Sequence, residues 1–307
     1  MSRAPRGGVA VLPPETLLVE RARDFLAAGG ATAAELVERV CQLPGAPAAV
    51  AEHLAQSLLG AHPEFVRDAQ GRWHRADLAP RPASTAPTPL PGGVDELLRM
   101  RWAVVDVETT GGRPEGGDRI TEIAAVVVEN GAVQELYETL VNPQRSIPPW
   151  ITALTNISWE MVKDAPRFAD VCGRVTSLLD GRVFVAHNVS FDWRFVSAEV
   201  ARATGQRLDG RRLCTVRMAR RLLPQLPRRS LDRVADYYGV EIAARHRAAG
   251  DAVATAEVLL ALLRDAADRG ATTWDALDAL LSAPSAARRR RRRPSALPRT
   301  TDGGEGS

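Results

Sequence analysis

Two acidic side chains end an apolar run in the middle third of the chain. The run Ala103-Val104-Val105 leads directly into Asp106-Val107-Glu108. In a β-strand, residues two apart point to the same face, so the two carboxylates would lie side by side. Crowded carboxylates at an apolar surface repel each other unless a cation binds them, and hard oxygen ligands suit Mg²⁺ or Mn²⁺. The pattern predicts a divalent-metal site at this strand end.

Two further motifs combine acids with other polar groups. In the first, a short apolar strand runs into the polar turn His187-Asn188, and Asp192 follows near the start of a predicted helix. In the second, His246 lies five residues before Asp251, which begins another apolar helix. Each acid alone fits a solvated strand end or a helix N-terminus, where negative charge gains only about 0.3–1 kcal/mol. The motifs therefore indicate a function only when they are taken together.

Together the three motifs resemble those of the DnaQ-like 3′–5′ exonucleases of the DEDDh type, which include the DNA polymerase III epsilon subunit. The resemblance runs from about Met100 to Leu263 and includes the helix start Arg229–Asp232. It implies a ribonuclease H-like mixed sheet and a reaction that uses two divalent cations, Mg²⁺ with Mn²⁺ able to substitute. The residues that it assigns to catalysis are Asp106, Glu108, Asp192, His246 and Asp251, and the four acids are also its metal ligands.

The resemblance also implies a role for each group. Glu108 would lie near the attacking water, and His246 would take its proton, since imidazole accepts protons readily near neutral pH. Thr109, Thr110 and Gly111 would hold the terminal nucleotide, and His187 and Asn188 would help to shape its pocket.

The expected activity is hydrolysis of phosphodiester bonds at nucleic-acid 3′ ends. DNA is favoured as the substrate, with repair or proofreading as the setting. Two alternatives remain open: a 3′–5′ exoribonuclease that trims RNA, and a non-catalytic nucleic-acid-binding adaptor.

Alternating strands and helices surround these motifs between residues 96 and 281. Apolar patterning predicts strands over 101–107, 120–129, 132–141 and 183–186, and helices over 168–179, 191–203, 215–223, 231–238 and 249–264. This order indicates an α/β domain with a mixed central sheet.

A small unit over residues 1–78 precedes this domain. Helical spacing and turn residues predict helices over 16–28, 33–41 and 47–59 and a hairpin over 64–75. Thr32 and Glu35 have the spacing of a capping box. Three helices and a hairpin resemble a winged helix-turn-helix domain.

The third predicted helix of this unit contains no arginine or lysine. A helix that enters the major groove normally carries basic residues for the phosphates. Binding of a partner protein is therefore favoured slightly over sequence-specific DNA recognition. Of this unit, only the hairpin, with Arg67, Arg72 and Arg75 beside Trp73, could contact a DNA backbone.

The remaining features concern charge and composition. Residues 79–95 are proline-rich and predict an extended linker, whereas residues 282–307 contain six consecutive arginines and predict a disordered tail. The net charge is only +3, yet nine arginines and two aspartates lie between Arg207 and Arg233, which predicts a phosphate-binding rim.

Three scattered cysteines form neither a disulfide framework nor a zinc cluster. No apolar stretch approaches a membrane span of roughly 20 residues. We expect a bacterial cytoplasmic protein that can associate with the nucleoid.

Overall fold

The computed structural model describes residues 8–12, 16–62, 64–68, 70–78, 96–243 and 245–283. The predicted linker over residues 79–95 and the predicted tail beyond residue 283 lie outside the described residues. None of the helices within the described ranges combines the length and the apolar character that crossing a membrane requires.

The described residues form nine strands, twelve α-helices and one short 3-10 helix, Pro114–Gly116. The strands are β1 (Ala10–Leu12), β2 (Phe65–Arg67), β3 (Trp73–Arg75), β4 (Trp102–Thr109), β5 (Ile120–Glu129), β6 (Ala132–Leu140), β7 (Val183–Ala186), β8 (Arg207–Asp209) and β9 (Arg212–Cys214). The helices are α1 (Leu17–Leu26), α2 (Ala33–Val40), α3 (Ala48–Leu59), α4 (Glu96–Arg99), α5 (Pro149–Thr155), α6 (Trp159–Val162), α7 (Phe168–Leu179), α8 (Val189–Thr204), α9 (Thr215–Leu222), α10 (Leu231–Tyr238), α11 (Ala248–Ala267) and α12 (Trp274–Ser282).

A five-stranded mixed sheet organises the C-terminal unit. Its strand order is β6-β5-β4-β7-β9, in which β5 is antiparallel to both β4 and β6, whereas β4, β7 and β9 are parallel to one another. Strand β5 is buried over almost its whole length because apolar residues of the sheet pack against helices on both faces. The predicted α/β domain with a mixed central sheet is confirmed.

Successive residues of β4 alternate between two hydrophobic cores. Trp102 and Val104 pack in the core that includes α9, α10 and α11, whereas Val105 packs in the core that includes α7 and α8. Because side chains alternate along a strand, Asp106 and Glu108 continue the series of Trp102 and Val104. Both acids therefore lie on the face of the sheet that α11 covers.

The first described residues pack against the C-terminal unit. Strand β1 pairs antiparallel with β8, and the buried Val9 joins the core of α7 and α8. Glycine is needed at this contact because a Cβ atom on Gly8 would lie 2.1 Å from the carbonyl carbon of Gly181. Residues 9–12 thus belong to the predicted 1–78 unit by position in the chain, but they pair with strand β8 of the following domain.

Helices α1, α2 and α3 and the β2–β3 hairpin pack around a core of their own. Thr32 caps α2 through the predicted capping box, in which its hydroxyl accepts from the backbone N–H of Glu35 and the Glu35 carboxylate accepts from the backbone N–H of Thr32. Trp73 contributes a buried ring from the hairpin. The predicted order of elements is confirmed, and assignment of this unit to the winged-helix class stays a prediction.

A buried ion pair joins α8 to the segment that follows β4. The Glu199 carboxylate, 2% exposed, accepts hydrogen bonds from Arg119 Nε at 2.6 Å and Arg119 Nη2 at 2.9 Å. The backbone N–H of Arg119 donates to Thr110 Oγ1 at 3.0 Å, and that of Thr110 donates to the Arg119 carbonyl at 2.8 Å. The pair therefore connects the helix that carries Asp192 to the loop that follows Glu108.

We predict that Glu199→Ala destabilises the protein by about 3–5 kcal/mol, because it leaves the mostly buried Arg119 guanidinium without its counter-charge. Urea unfolding followed by tryptophan fluorescence would measure the loss. Glu160→Ala is the control, since this carboxylate pairs with Lys163 and is 72% exposed, and such surface pairs contribute only about 0–1 kcal/mol. Equal losses from the two substitutions would contradict the prediction.

Candidate active site

Three side chains that could bind a metal converge at the carboxyl end of β4. The ligand atoms of Glu108, His246 and Asp251 all lie within 4.8 Å of one another. Glu108 comes from β4, Asp251 from the first turn of α11, and His246 from the loop that precedes that helix. The backbone of His246 has a φ of 60°, a left-handed conformation that is uncommon for residues other than glycine. The loop therefore turns sharply at the imidazole.

Asp106 and Asp192 complete the same cluster. Asp192 is buried in the first turn of α8, and its Oδ1 accepts a hydrogen bond from the backbone N–H of Val107 at 3.2 Å. Asp106 is close enough to three other acids, Asp192, Glu108 and Asp251, for their charges to raise its pKa. The structure thus brings together all five residues that the sequence predicts for catalysis.

Burial and mutual repulsion make these carboxyl groups weak acids. Burial raises the pKa of Asp106 well above its ordinary value, and the neighbouring carboxylates, Asp192 first, add to the rise. Burial raises the pKa of Glu108 to about 8, with smaller contributions from Asp251 and Glu122. Burial also raises the pKa of Asp192 to about 7. Because their pKa values are raised, these carboxyl groups are stabilised at neutral pH by binding protons or another cation.

One guanidinium group offsets part of the repulsion. Arg245 Nη1 donates to Asp251 Oδ2 at 2.5 Å, and Arg245 Nε donates to Asp232 Oδ1 at 2.6 Å. Its positive charge lowers the pKa of Asp251, and also those of Glu108 and Asp106, against the larger effect of burial. Arg245 is absent from the predicted site residues. The signal for it in the sequence is its position directly before His246.

A second ion pair orients the start of α11. The buried Glu122 of β5 accepts hydrogen bonds from Arg247 Nη2 at 2.6 Å and from the backbone N–H of Ala248 at 2.8 Å. Glu122 is also the register partner of Glu108 across the β4–β5 ladder. The pair therefore fixes the loop of His246 against the strand next to β4. The sequence signal for it is a glutamate inside an apolar strand, because a buried carboxylate almost always has a partner.

The donor set fits a divalent cation. Among the described residues, Asp251 Oδ1 is buried and has no hydrogen-bond partner. A buried acceptor without a partner is costly, and a hard cation bound by carboxylate oxygens would satisfy it. Glu108 and His246 offer further ligand atoms within 4.8 Å.

Internal hydrogen bonds shape the predicted nucleotide-binding loop. Thr109 Oγ1 donates to the Gly111 carbonyl at 2.6 Å, and Thr110 Oγ1 donates to Asp118 Oδ1 at 3.3 Å. A Cβ atom on Gly111 would lie 2.4 Å from the Asp118 carboxylate, so a larger residue there would require that carboxylate to move. The loop is preformed next to Glu108, and both hydroxyl protons are used inside it.

His187 and Asn188 have different surroundings. The His187 ring lies between Thr215 Oγ1 at 2.8 Å and the Arg229 carbonyl oxygen at 2.9 Å, and burial lowers its pKa. Asn188 is exposed, has a φ of 90°, and lines a cavity next to α8. The structure therefore leaves Asn188 accessible to a ligand, whereas the His187 ring links β7 to the segments around α9 and α10.

The arginines of the predicted rim fall into different groups. Arg212, Arg217 and Arg220 line the same cavity as Asn188. Arg229 instead donates to the carbonyl groups of Leu223, Pro224 and Pro227, so its side chain closes the turn after α9. Some arginines of the predicted rim thus line the cavity, whereas others make structural contacts within the protein.

Comparison with known proteins identifies relatives of the C-terminal unit. A family model named RNase_T, described as Exonuclease, matches residues 103–259. The chain is 41% identical over 167 residues to the 3′-5′ exonuclease DinG of Bacillus subtilis (strain 168), and the matched region covers 54% of this chain and 18% of the relative. It is 40% identical over 185 residues to a DNA polymerase III subunit epsilon-like protein of Rhodobacter capsulatus, covering 59% of this chain and 26% of the relative.

A third relative is matched over most of its length. This is the DNA polymerase III subunit epsilon of Aquifex aeolicus, which is 33% identical over 171 residues, or 56% of this chain and 84% of the relative. By contrast, the chain spans 18% and 26% of the first two relatives. The range that the family model matches, residues 103–259, contains the acidic cluster.

We predict that the metal-free protein loses stability as the pH rises from about 4.5 to about 8. The pKa of Glu108 is about 8 in the folded protein against 4.5 for a free glutamate, and that of Asp192 is about 7 against 3.8. Over this range the folded state binds more protons than the unfolded state, so the free energy of unfolding falls with pH. Urea unfolding in a chelator at several pH values would measure the slope, and Glu108→Gln should reduce it.

Arg245→Gln provides the opposing control. Removing the guanidinium allows the pKa values of Asp251 and Glu108 to rise further, so the loss of stability should become larger and extend to higher pH. Arg101→Gln removes a surface charge that lowers the pKa of Glu129 away from the cluster, so it should alter stability only at more acidic pH and leave the fall between about pH 5 and 8 as it is. A stability that rises between pH 5 and 8 would contradict the assignment of raised pKa values.

Proposed function

The chain belongs to the RNase_T exonuclease family, and we propose that residues 96–281 form a metal-dependent 3′–5′ exonuclease unit. The observation that carries the proposal is the convergence of His246 and four carboxylates at the carboxyl end of β4. Hydrolysis of a phosphodiester bond needs an activated water and neutralisation of the charge on the leaving oxygen. A mostly buried acidic cluster with an imidazole at its border is suited to both tasks.

Two divalent cations, Mg²⁺ with Mn²⁺ as a substitute, would be held by Asp106, Glu108, Asp192 and Asp251. When bound, such cations lower the pKa of a water molecule and stabilise the leaving 3′ oxygen. The protein itself fixes the oxygen ligands: the Val107 N–H holds Asp192, and the N–H of His246 holds Asp251 at 3.2 Å.

His246 would accept the proton of the attacking water. Its ring has a ligand atom within 4.8 Å of those of Glu108 and Asp251, and its side chain is half-buried, so the proton can pass on to solvent. The Glu122–Arg247 pair and the left-handed backbone of His246 keep the ring at the cluster. Thr109, Thr110 and Gly111 would present the preformed loop to the terminal nucleotide, and Asn188 would contact the strand.

DNA is the favoured polymer, because the relatives of Rhodobacter capsulatus and Aquifex aeolicus carry names that refer to DNA polymerase III. Repair or proofreading in the bacterial cytoplasm is the corresponding setting. An exoribonuclease remains the alternative, since the same chemistry cleaves both polymers. A non-catalytic adaptor is disfavoured because all five predicted catalytic residues lie in one cluster.

The N-terminal unit is proposed to be a winged-helix-like module that binds a partner protein. Its hairpin arginines already have partners within the unit. Arg67 pairs with Glu52 at 2.8 Å, and Arg75 pairs with Asp77 at 2.7 Å. Arg72 donates to the carbonyl oxygen of Gly30. These contacts favour a structural role for the hairpin arginines over contact with a DNA backbone.

We predict that the purified protein with Mn²⁺ releases mononucleotides from 3′-labelled DNA, and that Asp106→Asn lowers kcat by more than about a hundredfold, because it removes a charged metal ligand. Gel or chromatographic analysis of the released label would measure both. Release from a matched RNA strand, followed in parallel, would compare the two polymers. Faster release from RNA would support the exoribonuclease alternative.

The matched control is Asp268→Asn. This exposed aspartate follows the far end of α11, seventeen residues from Asp251, or about 26 Å at 1.5 Å per residue. Its activity should equal that of the unsubstituted protein. An Asp106→Asn protein with full activity would show that the cleavage comes from another site or from a contaminating nuclease. Binding of DNA without release of nucleotides would support the adaptor.

We also predict that Arg72→Gln combined with Arg75→Gln, in the full chain, changes affinity for duplex DNA by less than about twofold, because both side chains already bond within the N-terminal unit. Fluorescence anisotropy with duplexes of several sequences would measure this affinity. A tenfold loss for one sequence only would show instead that the hairpin recognises DNA.

A further inference from the structure

We propose that the cavity beside Asn188 binds an internal phosphate of the nucleic acid, at a second point of contact two strands across the sheet from the catalytic carboxylates. This inference rests on the proposed function and adds a binding site for the same substrate. The cavity has a volume of about 360 Å³ and lies between the first turn of α8, strand β9 and helices α9 and α12.

The position of the cavity follows from the sheet. Strands β4, β7 and β9 are parallel neighbours, so their carboxyl ends meet at one edge. Asp106 and Glu108 lie at the end of β4, Asn188 follows the end of β7, and Cys214 ends β9. Adjacent strands are about 4.8 Å apart, so β9 lies about 10 Å from β4 across the sheet, and the register places the end of β9 level with the residues just before Asp106. A strand of nucleic acid held at the catalytic cluster can therefore reach the cavity along the same edge.

The charge of the cavity favours an anion. Arg212, Arg217 and Arg220 all line it. Arg217 has a distant partner in the exposed Asp278, at 3.9 Å, and Asp278 is also the single acid in the cavity lining. Within the described part of the chain, Arg212 and Arg220 have no carboxylate partner. Three guanidinium groups in one small cavity repel each other, and a phosphate group would relieve that repulsion while accepting their hydrogen bonds.

The remaining lining distinguishes a nucleotide from a free anion. Trp274, Leu277 and Leu281 add apolar side chains to the lining, and the Arg211 guanidinium lies 4.9 Å from the Trp274 ring centroid. Bases stack on aromatic rings whatever their sequence, and a cavity of this volume is in the range that small ligands occupy. The Arg212 guanidinium lies 4.9 Å from the Trp193 ring centroid, which limits its freedom to move. The site thus combines guanidinium groups for the phosphate with apolar side chains for the sugar or base.

Substrate length provides the test. The p-nitrophenyl ester of thymidine 5′-monophosphate is a phosphodiester that can occupy the catalytic cluster alone, whereas a 3′-labelled oligonucleotide can also reach the cavity. For Arg212→Gln combined with Arg220→Gln, the ratio of kcat/KM for the oligonucleotide to kcat/KM for the ester should fall about tenfold or more. The dependence of log KM on log salt concentration should become shallower by about 0.7, since the cavity binds one phosphate and each single-strand phosphate contact contributes about 0.7.

Arg264→Gln is the control for the loss of a surface arginine away from the cavity. Arg264 is exposed on α11, thirteen residues from Asp251, or about 20 Å along the helix axis. It should leave both the ratio and the salt dependence as they are. An unchanged ratio in the double variant, or an equal fall in Arg264→Gln, would overturn the proposal.

Binding in a chelator separates this inference from the proposed function. Anisotropy of a labelled oligonucleotide should show affinity in the unsubstituted protein and a weaker, less salt-dependent affinity in the double variant. If neither substrate is hydrolysed but this difference in binding is seen, the exonuclease activity fails and the cavity stands. If both substrates are hydrolysed but the binding is identical, the cavity fails and the exonuclease activity stands.

Discussion

Repulsion among carboxylates that share one mostly buried volume is the constraint on which the C-terminal unit depends. Asp106 and Glu108 project from the same face of one strand, and Asp192 and Asp251 approach them from the starts of two helices. Such a cluster is unstable by itself, because each group loses hydration and meets like charges. A bound cation would offset this repulsion. Within the protein, Arg245 supplies positive charge to the cluster through its ion pair with Asp251.

The surrounding ion pairs can be understood as supports for this cluster. The Glu199–Arg119 pair holds α8 to the loop after β4, and the Glu122–Arg247 pair holds the start of α11 to β5. Each pair holds one of the two helices that carry Asp192 and Asp251 close to the antiparallel strands β4 and β5. A buried pair contributes little net stability by itself, but the loss of one partner is expensive. The pairs therefore fix positions more than they add stability.

Local rules account for much of the predicted site. The alternation of side chains along β4 places Asp106 and Glu108 together whatever the rest of the chain does, and the Thr32 capping box starts α2 by contacts three residues apart. Long-range contacts are a different matter. Strands β1 and β8 contain three residues each and lie far apart in the chain, so the spacing of apolar residues could not predict their pairing. Likewise, the partner of Arg245 depends on the turn at His246, and the cavity that gathers three arginines depends on where α12 packs.

The pairing of β1 with β8 changes the topology of the N-terminal unit. Because residues 9–12 are bound to the C-terminal unit and the chain rejoins that unit at α4, the three-helix unit is an insertion attached at both ends rather than a terminal appendage. Its first attachment is short, since the four residue steps from Leu12 to Thr16 span at most about 14 Å. A protein bound by this unit would be kept within a small radius of β8. Its effective concentration near the catalytic unit would therefore be high even if its affinity were modest.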